Sequence, residues 1–92
     1  MLNLLQSTQF KKDFKKLLAK NPSFDDLKEL YFIIEQLLNK IPLDKKYKDH
    51  PLTNDKQERR DCHVKPDLVL LYKKDNENIT LARIGSHSYL GI

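Results

Sequence analysis

The sequence predicts an α+β domain in which two N-terminal helices pack on one face of a mostly antiparallel four-stranded sheet, in the order β-α-α-β-β-β. Three observations lead there. Apolar residues recur with a helical period in the first half of the chain, and they alternate or run together over short stretches in the second. A chain of 92 residues furnishes one core and not two, so residues 1–92 are expected to form a single domain.

Leu2 and Leu4 alternate around Asn3, the pattern of a short first strand. From about Thr8, the residues Phe10, Phe14, Leu17 and Leu18 fall at helical spacing, and Asn21-Pro22 ends that helix because the residue before a proline is pushed out of the helical region. Lys11, Lys12, Lys15 and Lys16 set like charges four apart on it, which a neighbouring polyanion would relieve. A merely solvated face partly balanced by Asp13 explains the lysines equally well. Ser23 then offers an N-cap, with Asp26 three residues on resembling a capping box and Asp25 suited to the helix N-terminus. Leu27, Leu30, Tyr31, Ile34, Leu37, Leu38 and Ile41 form the apolar stripe of the second helix before Pro42 stops it.

Leu43 to about Glu58 is rich in Lys, Asp, Pro and Asn without apolar period, which predicts a long connecting loop of the kind that often carries function. Arg59 to Val64 alternates, placing Cys62 and Val64 on one face and Arg59, Asp61 and His63 on the other. After a turn at Lys65-Pro66-Asp67, Leu68 to Tyr72 is a continuous apolar run suited to a central strand buried on both faces. Asp75 to Asn78 reads as a turn, and Ile79 to Ile84 completes the meander. The sheet face away from the helices is expected to stay open.

Composition narrows the function classes. Seventeen Lys and Arg against thirteen Asp and Glu give a net charge of +4, which suits a nucleic acid or an acidic protein partner. Cys62 is the one cysteine and has no partner for an intramolecular disulfide, so a reducing, cytoplasmic setting is expected. The N-terminus lacks a basic leader, and no stretch approaches the roughly eighteen apolar residues of a membrane span. There is no repeat, no low-complexity tract, no glycine-rich phosphate loop and no nucleophile elbow.

The three histidines, His50, His63 and His87, all lie in the loop-and-strand half. Two histidines and a carboxylate could move protons both ways during phosphodiester cleavage, although sequence spacing alone does not bring them together. Packing or surface roles are the commoner fate of a lone histidine. A zinc site is disfavoured: Cys62 and His63 are strand neighbours pointing to opposite faces, and no CxxC or HxxxH pair is present. Lys45, Lys46, Lys48 and Lys56 add positive charge near His50, where a nucleic-acid backbone could be held.

Three separated blocks change the weighting. Tyr47-Lys48-Asp49-His50-Pro51-Leu52, Arg60-Asp61-Cys62-His63-Val64-Lys65-Pro66-Asp67 and Arg83-Ile84-Gly85-Ser86-His87-Ser88 resemble, in order and spacing, the YafQ-type toxins of the RelE/ParE superfamily. The resemblance spans essentially the whole chain. It implies a RelE-like fold and a ribosome-dependent endoribonuclease, an mRNA interferase held inactive by a cognate antitoxin. It also implies that the acid, base and phosphate-binding positions fall on His50, His63, Asp67 and His87. Arg83 would be a phosphate partner, with Lys48 and Lys65 as further RNA contacts and Asp61 as an additional candidate. The chemistry would be attack of a ribose 2′-hydroxyl on the adjacent phosphate, without metal or cofactor. His87 is the expected acid, His50 or His63 the base, and Asp67 a base or an orienter.

Two departures stand out. The family usually carries an aromatic residue after the Pro-Asp, where this chain has Leu68, and a terminal phenylalanine, where this chain reads Tyr89-Leu90-Gly91-Ile92. They leave room for a degenerate member that only binds its antitoxin. A ParE-like toxin that binds a protein such as DNA gyrase is the other rival.

Overall fold

Three serines set where the helices begin. In the computed structural model, which describes residues 1–92, Ser7 Oγ accepts the Phe10 N–H at 2.9 Å, Ser23 Oγ the Asp26 N–H at 3.0 Å and Ser86 Oγ the Tyr89 N–H at 3.1 Å. Each satisfies an N–H that the first helical turn leaves without a partner. They open α1 (Thr8–Ala19), α2 (Phe24–Leu38) and a short α3 (His87–Leu90). Between α1 and α2, Asn21 turns left-handed at φ 51°, which stops the first helix ahead of Pro22.

The strands are β1 (Asn3–Gln6), β2 (His50–Pro51), β3 (Arg60–Lys65), β4 (Leu68–Lys74) and β5 (Asn78–Gly85). They form one sheet in the order β1-β5-β4-β3-β2, antiparallel except where β1 runs alongside β5. The sheet therefore has five strands and not four, because the long loop contributes β2 and a 3₁₀ turn over Lys45–Tyr47. The α+β class and the mostly antiparallel pairing stand.

One core lies between the helices and the sheet. Leu30, Ile33, Ile34 and Leu37 of α2 and Phe10 of α1 meet Cys62, Val64, Leu68, Leu70, Tyr72, Ile79, Leu81 and Ile84. The α2 stripe differs from its sequence reading at two places. Tyr31 is exposed while Ile33 is fully buried, since at about 100° per residue Ile33 lies closer to the Leu30–Leu37 line. Ile41 falls outside the helix, which closes at Asn39 with Lys40 left-handed at φ 59°. Burial also pushes the Cys62 thiol up, so that it sits in the core as a small apolar group.

Val69 and Leu71 alternate with the core residues of β4 and point away from the helices, yet both are buried. The face opposite the core is thus covered over β4, not open. Its covering is set by register: Val69 lies between His63 and Gly85, and Leu71 between Asp61 and Arg83. A bulge opposite Leu71 and Tyr72 makes this possible, because Leu81 and Ile84 both face the core and the extra residue turns Arg83 outward.

Candidate active site

Cross-strand pairing brings His50, Asp61, Leu71 and Arg83 into one row across the sheet, and His63, Val69 and Gly85 into the next. Two charged or titratable rows thus stand on an apolar floor. His87 follows two residues after Gly85, at the start of α3. The three histidines, 37 positions apart from His50 to His87, meet on one face.

Asp61 is the centre of the first group. Its Oδ1 lies 3.5 Å from His63 Nε2 and its Oδ2 3.9 Å from His50 Nε2. The carboxylate is nearly buried, and Oδ1 accepts no hydrogen bond. An unpartnered buried carboxylate oxygen is costly, and the ring nearest to this one is that of His63. His50 is oriented from its other nitrogen: Nδ1 lies 2.6 Å from the Lys48 carbonyl oxygen, which can only accept, so Nδ1 holds a proton.

Asp67 organises the second group. Its Oδ1 accepts both the His87 backbone N–H at 3.0 Å and the His87 Nδ1–H at 2.7 Å. These two bonds, the backbone one first, hold the Asp67 carboxyl below its ordinary range. With Nδ1 committed to Asp67, Nε2 is the nitrogen His87 presents. The His87 ring stands edge-on to that of His63, with centroids 5.0 Å apart, so the two groups join into one cluster.

The loop before His50 is anchored from the core. Asp49 Oδ1 accepts the Tyr72 hydroxyl at 2.7 Å and Arg60 Nε–H at 3.1 Å, and Tyr47 donates to Glu29 at 2.5 Å. Burial, reinforced by Glu29, pushes the Tyr47 phenol up to about 12, and burial with Asp49 pushes the Tyr72 phenol upward as well, so both donate as neutral phenols. His50 therefore rises from a fixed segment.

Each predicted site residue has a definite place. His50, His63, Asp67 and His87 converge, with Asp61 among them. Arg83 stands on the same face but is tied to Asp13 through Nε at 2.7 Å and Nη2 at 3.2 Å. Lys48 and Lys65 line a groove of about 340 Å³ beside His63, which Lys46 also borders. Lys65 is in addition paired with Asp25. Leu68 belongs to the core and takes no part in this face. No group of three or more His, Cys, Asp or Glu side chains is placed to hold a metal ion.

One residue that sequence reading placed among surface charges belongs to the interior. Asp13 is buried, and burial, which alone would raise its carboxyl, is outweighed by bonds from Arg83, Gln9, Tyr89 and the Ile84 N–H that hold it low. The sequence carried a signal for this. Asp13 lies three residues after Phe10 and four before Leu17, inside the apolar stripe.

The profile of the family described as bacterial toxin of type II toxin-antitoxin system, YafQ, matches residues 2–91. The chain is 37% identical over 84 residues to the mRNA interferase toxin YafQ of Escherichia coli strain B / BL21-DE3, covering 91% of this chain and 89% of the relative. Its structure superposes on the toxin of the E. coli DinJ-YafQ toxin-antitoxin complex with a TM-score of 0.85 at 32% identity, over 97% of this chain and 96% of that one. A metal-bound toxin from Helicobacter pylori matches with a TM-score of 0.85 at 43% identity, over 98% and 99% of the two chains. No helix of the chain is long and apolar enough to cross a membrane. On this match of sequence and fold, the chain belongs to the YafQ family of type II toxin-antitoxin toxins.

Proposed function

We propose that this chain is a one-domain, cytoplasmic mRNA endoribonuclease that cuts messages on the ribosome and is silenced by a cognate antitoxin. The observation that carries the reading is the convergence of His50, Asp61, His63, Asp67 and His87 on one face of a cationic molecule. The names of its relatives, an mRNA interferase toxin and the toxin of a DinJ-YafQ complex, support the activity and the partner.

In this reading His63, with Asp61 and His50 behind it, takes the proton of a ribose 2′-hydroxyl. The 2′-oxygen attacks the neighbouring phosphorus and the P–O5′ bond breaks. His87, as an imidazolium whose Nδ1–H stays on Asp67, gives its Nε2 proton to the leaving 5′-oxygen. The products are a 2′,3′-cyclic phosphate and a free 5′-hydroxyl. Charge on the five-coordinate phosphate falls to the outward edge of Arg83, with Lys48 and Lys65 along the RNA backbone. Base, acid and cation are all side chains, so the reading calls for no metal or cofactor.

The test is cleavage of a defined message on purified translating ribosomes by the wild type and by His87→Ala. Wild type is expected to release 5′-hydroxyl ends. His87→Ala is expected to fold normally and cut at least about 10²-fold more slowly, the usual worth of one placed proton donor. Equal rates would remove His87 from the mechanism.

A further inference from the structure

A carboxylate buried on the helix side of the molecule has an unusual set of partners. Asp13 Oδ1 accepts from the Tyr89 hydroxyl at 2.9 Å, Gln9 Nε2 at 3.1 Å and Arg83 Nη2 at 3.2 Å. Its Oδ2 accepts from Arg83 Nε at 2.7 Å and from the Ile84 backbone N–H at 3.2 Å. β1 pairs with β5 only as far as Gln6 opposite Leu81, and beyond that point Asp13 supplies the acceptor a strand would have offered.

The partners lead in one direction. Arg83 stands in the row of His50 and Asp61, two strands from Asp61, and without Asp13 its long side chain would be free to leave that face. Tyr89 belongs to α3, the four-residue helix that begins with His87. Its ring lies against Gly85, where an added Cβ would come within 2.5 Å of it, and the Arg83 guanidinium and the Lys16 ammonium sit 5.6 Å and 5.3 Å from its centroid. Asp67 tethers α3 at His87, and Asp13 tethers it at Tyr89. Stability alone does not call for such a group, because apolar residues in place of a buried ion pair are often neutral or stabilising.

We propose that Asp13 is a positioning residue: from within α1 it holds Arg83 at the phosphate site and, through Tyr89, fixes the turn that carries His87. The proposal rests on the nuclease reading given above. It assigns a role in the reaction to a side chain that no RNA can touch.

Two variants test it. Asp13→Asn removes the charge that grips Arg83, and Tyr89→Phe removes one hydroxyl, so the second keeps the test open if the first does not fold. On programmed ribosomes, well below the unfolding temperature, each folded variant is expected to lose about tenfold to a hundredfold in kcat with KM little changed, as misplacement of reacting groups does. Combining them should cost no more than Asp13→Asn alone, because both break one linkage. The Arg83 Nε–H resonance in a nitrogen–proton NMR spectrum should shift in Asp13→Asn, a change that general destabilisation would not produce. Folded variants that cut at the wild-type rate, or an unmoved Arg83 signal, would overturn the proposal. A wild-type chain that cuts nothing while its His87→Ala variant behaves identically would instead overturn the nuclease reading itself, and with it the catalytic part assigned to Asp13.

Discussion

Asp61 and Asp13 are both buried acids with different surroundings. Asp61 stands between the imidazoles of His63 and His50 and keeps one oxygen, Oδ1, without a hydrogen bond. Asp13 is saturated by donors and held ionised. The sign of its effect on stability follows: a carboxyl held lower in the folded chain than in the unfolded one stabilises above the unfolded value of about 3.9. That contribution is lost as pH falls through the folded value. Asp13→Asn is therefore expected to lower unfolding free energy by about 1–3 kcal/mol at pH 7, a difference that shrinks as pH falls from the unfolded value through the folded one, read from urea titrations along a pH series. A constant difference would contradict the assignment. At this scale the sequence was informative about residue types and less so about company. Three histidines in one half of the chain were visible, but their meeting depends on the His50–Asp61 register, which a loop without period does not announce. Asp13 was masked by its neighbours Lys11, Lys12, Lys15 and Lys16, which suggested a charged surface.

The elements show the same division. Helix starts were legible because Ser23 and Asp26 carry a mechanism that operates locally, and Asn21-Pro22 marks the break before them. β4 was legible from its continuous apolar run. β2 has two residues and α3 four, too few to express any period, and both hold catalytic candidates. The bulge that turns Arg83 outward leaves no mark in composition either. α3 fits against β5 only because residue 85 lacks a side chain: a Cβ there would reach 2.5 Å from Tyr89 Cδ2. Gly85→Ala is accordingly expected to displace the Tyr89 ring, and with it His87, costing about tenfold or more in cleavage rate. Unchanged cleavage by a folded Gly85→Ala chain would show that α3 tolerates movement.

At the scale of the whole molecule, one sheet with α1 and α2 on one side gathers the histidines on its other side. The net charge of +4 and the lysine groove beside His63 give that side positive potential. RNA would be drawn to it, and an acidic antitoxin segment would compete for the same field. The central claim, message cleavage by this histidine cluster during translation, is tested most directly by primer extension on cellular mRNA after brief expression of the wild type or His87→Ala. New 5′ ends at in-frame positions are expected for the wild type alone, and only on messages that are being translated. Growth arrest without new ends, or identical ends from His87→Ala, would contradict it.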